Sequence, residues 1–366
     1  MTTGHGKYKH KQHKEIAMPT EYEEEDVYAH CMDCGMELDE DSAYYSEYDN
    51  EYRCSRHHDL YEEACAENED DDDSFIHNYS FKPSPNFLED DGTASFYTPA
   101  NGHTKTLYMG FELETELTRP TVVRGNSLMP GAEHVLSTIN KRIGSDNVVY
   151  LKDDGSLSHG FEIVSHPMTL GFAMNHFEWS GIEGLKGLGY DAWKASSCGL
   201  HIHLSRDAFA DYGHMMRFFL LILKNRQQLV QFAGRESHYA KFDMDAFFNA
   251  YHDYDSGKTV RGSTLASHAK QYSTNNDRYT AINLQNNNTI ELRFFRPSLL
   301  ASTVKACLQF CDAAFNYTSE ITLQQILQNQ AIQFASFHSW VRFQGDKYRI
   351  LDERIVERCG IRGEDI

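Results

Sequence analysis

The sequence predicts an α+β fold, a sheet combined with helices, behind a small metal-knotted N-terminal segment. Three observations carry that expectation. From residue 107 onward, short runs of β-branched and aromatic residues, bordered by Gly, Asp or Asn, are interspersed with longer runs whose apolar residues recur every three or four positions. Several short runs alternate polar with apolar, as strands with one buried face do. No unit recurs at a fixed period, which disfavours solenoids and propellers.

Composition shifts divide the chain into four pieces. Residues 1–20 read as a flexible basic tail and residues 21–73 as an acidic segment with four of the eight cysteines. Residues 74–105 carry Pro83, Pro85, Gly92 and Pro99 and read as an extended connector, whose Phe75, Tyr79, Phe81 and Phe87 suit it to lie against the next domain. Residues 106–366 form the large domain. Its expected strands are 107–117, 148–152, 161–165, 199–205, 279–284 and 289–295. Its expected helices are 132–143, 208–232, 301–317, 323–333 and 346–358. The apolar run from Met215 to Leu223 is best explained by packing of its helix against the sheet.

The net charge of −20 belongs to one place. Residues 21–73 hold 22 acidic and two basic residues, and the rest of the chain is neutral. An acidic face repels phosphate backbones, so nucleic acid is an unlikely partner. No apolar run approaches the about 18 residues that cross a bilayer, and the first twenty residues lack the apolar stretch of a secretory signal, so the chain is expected in the cytoplasm.

In the acidic segment, Cys31-Met-Asp-Cys34 precedes Cys54-Ser-Arg-His57 by nineteen intervening residues, with His58 adjacent. Two turns that each present a ligand pair suit a four-coordinate structural Zn²⁺ held by Cys31, Cys34, Cys54 and His57, with His58 the alternative to His57. Gly35 follows the first pair, where the turn needs a residue tolerant of positive φ. A reducing cytoplasm disfavours a disulfide here. Cys198, Cys307 and Cys311 read as packed residues instead.

The most informative pattern is charge inside strand-like runs. Spacing of two puts Glu112, Glu114 and Glu116 on one face of a strand. Glu162 follows the turn Asp153-Asp154-Gly155-Ser156, His201 and His203 share a face, and so do Glu291 and Arg293. Like charges on one face repel and call for a cation. Carboxylates with an imidazole suit Mg²⁺ or Mn²⁺, while Arg293, Arg278 and Arg296 suit phosphate. Such a combination fits phosphoryl transfer. There is no Gly-rich phosphate loop of the P-loop class.

In order, G-x-E-x-E, D-G-S with a following strand Glu, C-G-x-H-x-H and T-I-E-x-R-x-x-R resemble the amidoligase family across about residues 105–340. These are carboxylate–amine ligases with a glutamine-synthetase-like catalytic fold, many of them phage-encoded. Ser80-Phe81-Lys82-Pro83-Ser84-Pro85 is similar to what precedes the catalytic region in phage members. The resemblance implies a curved, mostly antiparallel sheet backed by helices, and ATP with Mg²⁺. It implies metal ligation by Glu112, Glu114, Glu162, His201 and Glu291, a phosphate contact from His203, and stabilisation of the transferring phosphoryl group by Arg293. Arg278 matches a phosphate-contacting Arg more loosely, and Asp154 and Ser156 fall near the substrates. Amide formation would then pass through an acyl phosphate, with release of ADP and phosphate. The carboxylate and amine are open, with peptide or protein among the candidates.

Two other classes compete. A metal-dependent hydrolase also mounts His-x-His on a strand, but in amidohydrolases that strand comes first, and here it follows two acidic strands. A non-catalytic adaptor with a zinc knot would keep the fold without turnover. Release of ADP separates the ligase from both.

Overall fold

Alternation from Met109 to Leu117 makes β1 (Met109–Leu117) the centre of the sheet: Met109, Phe111, Leu113 and Thr115 are buried on one side, and the glutamates alternate with them. Around it stand β2 (Val149–Lys152), β3 (Gly160–Ser165), β4 (Tyr190–Asp191), β5 (Leu200–Ser205), β6 (Ile282–Asn283) and β7 (Thr289–Phe295). The strand order is β6-β7-β5-β1-β3-β2, with β4 paired to the C-terminal end of β1, and every strand pairing is antiparallel. The protein is thus α+β, a seven-stranded antiparallel sheet backed by helices. The computed structural model describes residues 28–32, 35–39, 42–46, 51–58, 75–95, 106–118, 127–142, 148–193, 198–238, 240–242, 280–327 and 331–360. Its contacts fall into two units, Met1–Ala64 and Cys65–Ile366.

The helices of the second unit include α1 (Met129–Ile139), α2 (Tyr212–Lys224), α3 (Arg226–Ala233), α4 (Ala301–Glu320), α5 (Phe334–Phe343) and α6 (Arg349–Cys359). One continuous core joins them to the apolar side of the sheet. Phe111 of β1 meets Phe177 and Trp179, while Phe294 and Phe295 of β7 meet Phe310 of α4, which in turn meets Phe337 of α5. Fully burying an aromatic or aliphatic side chain is worth about 1.5–3 kcal/mol, so this side holds the sheet flat against its helices. The opposite face is left to carry charge.

Several expected elements differ, among them the strand foreseen over 279–284, of which Ile282–Asn283 is strand, and the helix foreseen over 346–358, which starts at Arg349 after a 3-10 turn. The helix foreseen over 208–232 is broken at Asn225, whose buried amide donates to the carbonyls of Leu221 (2.7 Å) and Ile332 (2.8 Å) and accepts from the Phe334 N–H (2.9 Å). A side chain that takes over main-chain partners competes with the helix. The helix foreseen over 323–333 covers Leu323–Leu327, residues 328–330 lie outside the described residues, and α5 starts at Phe334. α1 starts three residues earlier than foreseen, with Pro130 in its first turn, where a missing N–H costs nothing. In the expected connector, Phe87–Leu88 and Ala94–Ser95 form a hairpin, and Leu88 exchanges main-chain hydrogen bonds with Pro167 and Thr169.

Among its described residues the first unit has two short ladders, Ala29–His30 with Glu37–Leu38 and Tyr44–Ser46 with Glu51–Arg53. Its core among the described residues is Cys31, Leu38 and Cys54, flanked by the partly buried Ala43 and Tyr52.

Candidate active face of the sheet

Register brings together side chains that are far apart in sequence. One cross-strand row runs Lys152, Glu162, Glu114; the next Tyr150, Val164, Glu112, His201; the third Gly110, His203, Glu291, Asn283. All three rows lie on the face opposite the core, yet Glu114, Glu162, His201 and Glu291 are only 4–7% exposed. Burying that many ionisable groups is unfavourable unless each finds a partner or a cation.

The partners are specific. Glu112 lies 3.2 Å from His201 Nδ1 through Oε2 and 3.2 Å from His203 Nε2 through Oε1. His201 Nδ1 is also 3.6 Å from Glu291. Glu291 accepts from the Asn283 amide at 2.7 Å and pairs with Arg293. Glu114 accepts from the main-chain N–H of Gly199. His203 Nδ1 contacts Thr289 Oγ1 at 3.2 Å.

These neighbours set the charges. Burial pushes the Glu112 carboxyl up, but the charges of His203 and His201 outweigh it and hold Glu112 well below the usual carboxylate range. Burial lowers His203, yet Glu112 beside it raises the imidazole to about 9, so it is protonated at neutral pH. Burial, with Glu112 and Glu114 close by, pushes Glu162 well above the carboxylate range. Glu114 is raised by burial too.

Three groups of ligand atoms, each within 4.8 Å of one another, overlap along this face: Glu112, Glu162 and His201; Glu112, His203 and Glu291; Glu114, Asp154 and Glu162. Glu112 and Glu162 each belong to two of them. The donors are mostly carboxylate oxygens, the chemistry that hard divalent cations prefer, and the raised Glu162 and Glu114 register first their burial and then the neighbouring carboxylates, a cost that such a cation would relieve. The residues present fit Mg²⁺ or Mn²⁺.

The structure therefore brings Glu112, Glu114, Glu162, His201, His203, Glu291, Arg293 and Asp154 onto one face. Asp154 is joined to Glu114 and Glu162, and its Oδ1 accepts from the Ser156 N–H at 2.7 Å. Glu116 accepts from the Ser158 N–H at 2.9 Å. Arg296, foreseen on phosphate, instead donates to the carbonyls of Trp193 (2.9 Å) and Gly234 (3.2 Å), with its guanidinium 3.7 Å over the Trp193 ring. Arg278 lies outside the described residues.

Sequence reasoning missed three participants. Lys152, buried at the end of β2, reaches Glu162 only through strand register. Asn283 reaches Glu291 only through strand register. Arg235 follows α3, donates to the Phe295 carbonyl at 3.3 Å and feels the charge of Glu114. It converges with the sheet at Gly199, where a Cβ would lie 2.7 Å from His201 Nε2 and 3.2 Å from Arg235 Nη1. Only glycine fits there without a shift.

Beside the Gly110 end of the face opens a cleft of about 980 Å³. Aromatic and apolar residues including Phe87, Tyr108 and Tyr212 line it, with Lys82, Lys152 and Arg206, the acids Asp207 and Asp211, and Glu112 and His203 of the polar face. A volume of this size accommodates a nucleotide-sized molecule.

Fold and face together define an α+β protein with a buried carboxylate, imidazole and guanidinium cluster, two of whose residues line a cleft. Among solved structures, the chain matches the bifunctional glutathione synthetase of Pasteurella multocida with a TM-score of 0.33 and 10% identity, over 71% of this chain and 46% of that one. The chain thus spans less than half the length of that protein. No family model matches the chain, and no curated protein does. No helix among the described residues is long and apolar enough to cross a membrane.

Proposed function

We propose that the chain is an ATP-dependent carboxylate–amine ligase that works through an acyl phosphate, as its resemblance to the amidoligases implies. The observation that carries the proposal is the overlap of three cation-ligand groups on one sheet face, two of whose members, Glu112 and His203, also line an aromatic cleft. Glu112, Glu114, Glu162, His201 and Glu291 would hold Mg²⁺ or Mn²⁺, with Asp154 beside Glu114 and Glu162. Bound there, the cations would neutralise phosphate oxygens as charge moves onto the ADP leaving group.

The chain's own groups supply the rest. The cleft would take the nucleotide, its aromatic walls the base and Lys82 and Lys152 the phosphates, while Arg206 donates to the carbonyls of Leu284 and Thr289. His203, set between Glu112 and Thr289, would contact phosphate, as the resemblance implies. Arg293, oriented by Glu291, faces the transferring phosphoryl group. In the first step a carboxylate oxygen bonds to the γ-phosphorus as the bond to ADP breaks. In the second an amine nitrogen bonds to the acyl carbon as phosphate leaves, and the nitrogen gives up a proton. No covalent enzyme nucleophile is required, and Cys307, whose thiol burial raises to about 12, is part of the core.

The test is ADP formation by the purified protein with Mg²⁺ and ATP across pools of amino acids and peptides, beside Glu291→Ala. ADP that needs both a carboxylate and an amine, and is lost in the variant, supports the ligase. ADP formed equally without an amine or carboxylate, or equally by the variant, removes it.

A further inference from the structure

The first unit poses a separate question, because its described core of Cys31, Leu38 and Cys54 is too small to hold a fold by apolar burial alone. At that core three soft ligand atoms converge. Cys31 Sγ and Cys54 Sγ are 3.8 Å apart, and His57 Nδ1 is 3.5 Å from the first and 3.3 Å from the second. A disulfide brings sulfurs to about 2.0 Å, so this is not one. Tetrahedral zinc has Zn–S of about 2.3 Å and Zn–N of about 2.0 Å, which makes the S···S edge about 3.8 Å and the S···N edges about 3.5 Å. The three measured separations match one face of that tetrahedron.

The main chain is shaped for the same purpose. Gly35 has φ of 71° and donates its N–H to the Cys31 carbonyl at 2.8 Å, closing the turn that follows the first thiol. The Cys54 carbonyl accepts from the N–H groups of His57 (3.0 Å) and His58 (2.9 Å), which folds residues 54–58 back so that His57 reaches the sulfurs. His58 points elsewhere, against the Tyr44 ring with centroids 5.4 Å apart. Thiolates at the one site and carboxylates at the other also divide the metals by softness.

We infer that Cys31 Sγ, Cys54 Sγ and His57 Nδ1 ligate a structural Zn²⁺, and that this ion, rather than apolar burial, holds the first unit folded. His57, not its neighbour His58, is the imidazole ligand. Cys34, expected by spacing as a fourth ligand, lies outside the described residues. The site is independent of the ligase chemistry and stands if that chemistry fails.

The experiment uses the full chain, purified reduced, stripped of metal and reloaded with Zn²⁺ or Co²⁺. Zinc retained through desalting at one ion per chain is expected, and cobalt should give the near-ultraviolet thiolate charge-transfer band that carboxylate sites cannot produce. Cys54→Ser and His57→Asn should each lose the retained zinc, while His58→Asn and Cys359→Ser keep it. Hydrogen exchange should show residues 28–58 losing protection when zinc is removed while β1, β5 and β7 keep theirs. No retained zinc, a cobalt spectrum without the thiolate band, equal loss in His58→Asn, or protection of residues 28–58 that survives zinc removal would each overturn the inference.

Discussion

The two units hold their ligand atoms in opposite ways. In the first, Cys31 and Cys54 are most of the core, and the ligands and the fold are the same residues. In the second, the ligands occupy one face of a sheet whose other face is buried against helices, so fold and site are nearly separate. A metal bound in the first place would contribute folding energy, and one bound in the second would relieve a strain that the core already tolerates. Ligand removal should therefore unfold the first unit locally and silence the second without unfolding it.

The largest expected effect lies on the second unit's polar face. Glu291→Ala should lower turnover about 10²–10³-fold or more, because it removes a cation ligand and frees Arg293, while thermal unfolding stays cooperative. Gly199→Ala sharpens the same point, since its methyl intrudes between His201 and Arg235. Its turnover should fall with the melting temperature little changed. Loss of the fold in either variant would mean that site and scaffold are not separable.

Asn225→Ala attacks the scaffold instead. It leaves two carbonyls and one N–H without their partner, and should cost roughly 3 kcal/mol in denaturant unfolding. Glu162→Gln goes the other way. In metal-free buffer near neutral pH the wild-type carboxyl is held above its ordinary value, so the unfolded chain ionises more readily and stability falls as pH rises past 4.5. Removing that group should raise the metal-free melting temperature, by about 1–2 °C for each ~1 kcal/mol recovered in a unit of this size, and shrink the further rise that Mg²⁺ gives to wild type.

The smallest effect is at His214, buried between α2 and α4, where its Nε2 meets the Phe315 carbonyl at 2.9 Å. Burial lowers its pKa below the ordinary 6.5. The unfolded chain then takes up the proton first, so stability is full above 6.5 and declines as pH falls below it. His214→Gln should flatten that part of the stability profile, measured by urea unfolding between mildly acidic and neutral pH.

The same contrast explains what was legible in the sequence. Strands β1, β3, β5 and β7 could be read closely because alternation of charge with apolar residues is a local signal. The pairs Glu112 with Glu114, His201 with His203, and Glu291 with Arg293 came with them. Cross-strand neighbours did not, since Lys152 opposite Glu162 and Asn283 beside Glu291 depend on register, which no single strand encodes. Arg235 reaches the face from the end of a helix, and no periodicity marks it. Asn225 reads as an ordinary helix surface residue until residues 332–334 supply its partners. Arg296 fits the strand motif, and its guanidinium is nevertheless taken up by Trp193 and Gly234, whose positions the motif does not contain.

The most direct test of the central claim follows the oxygen of the substrate carboxylate. With Mg²⁺, ATP, an amine and a carboxylate pool labelled with ¹⁸O, a ligase passing through an acyl phosphate transfers one labelled oxygen into the phosphate released. Labelled phosphate appearing in step with ADP is the predicted result. ADP accompanied by unlabelled phosphate would mean that water attacks the γ-phosphate, and would contradict the account.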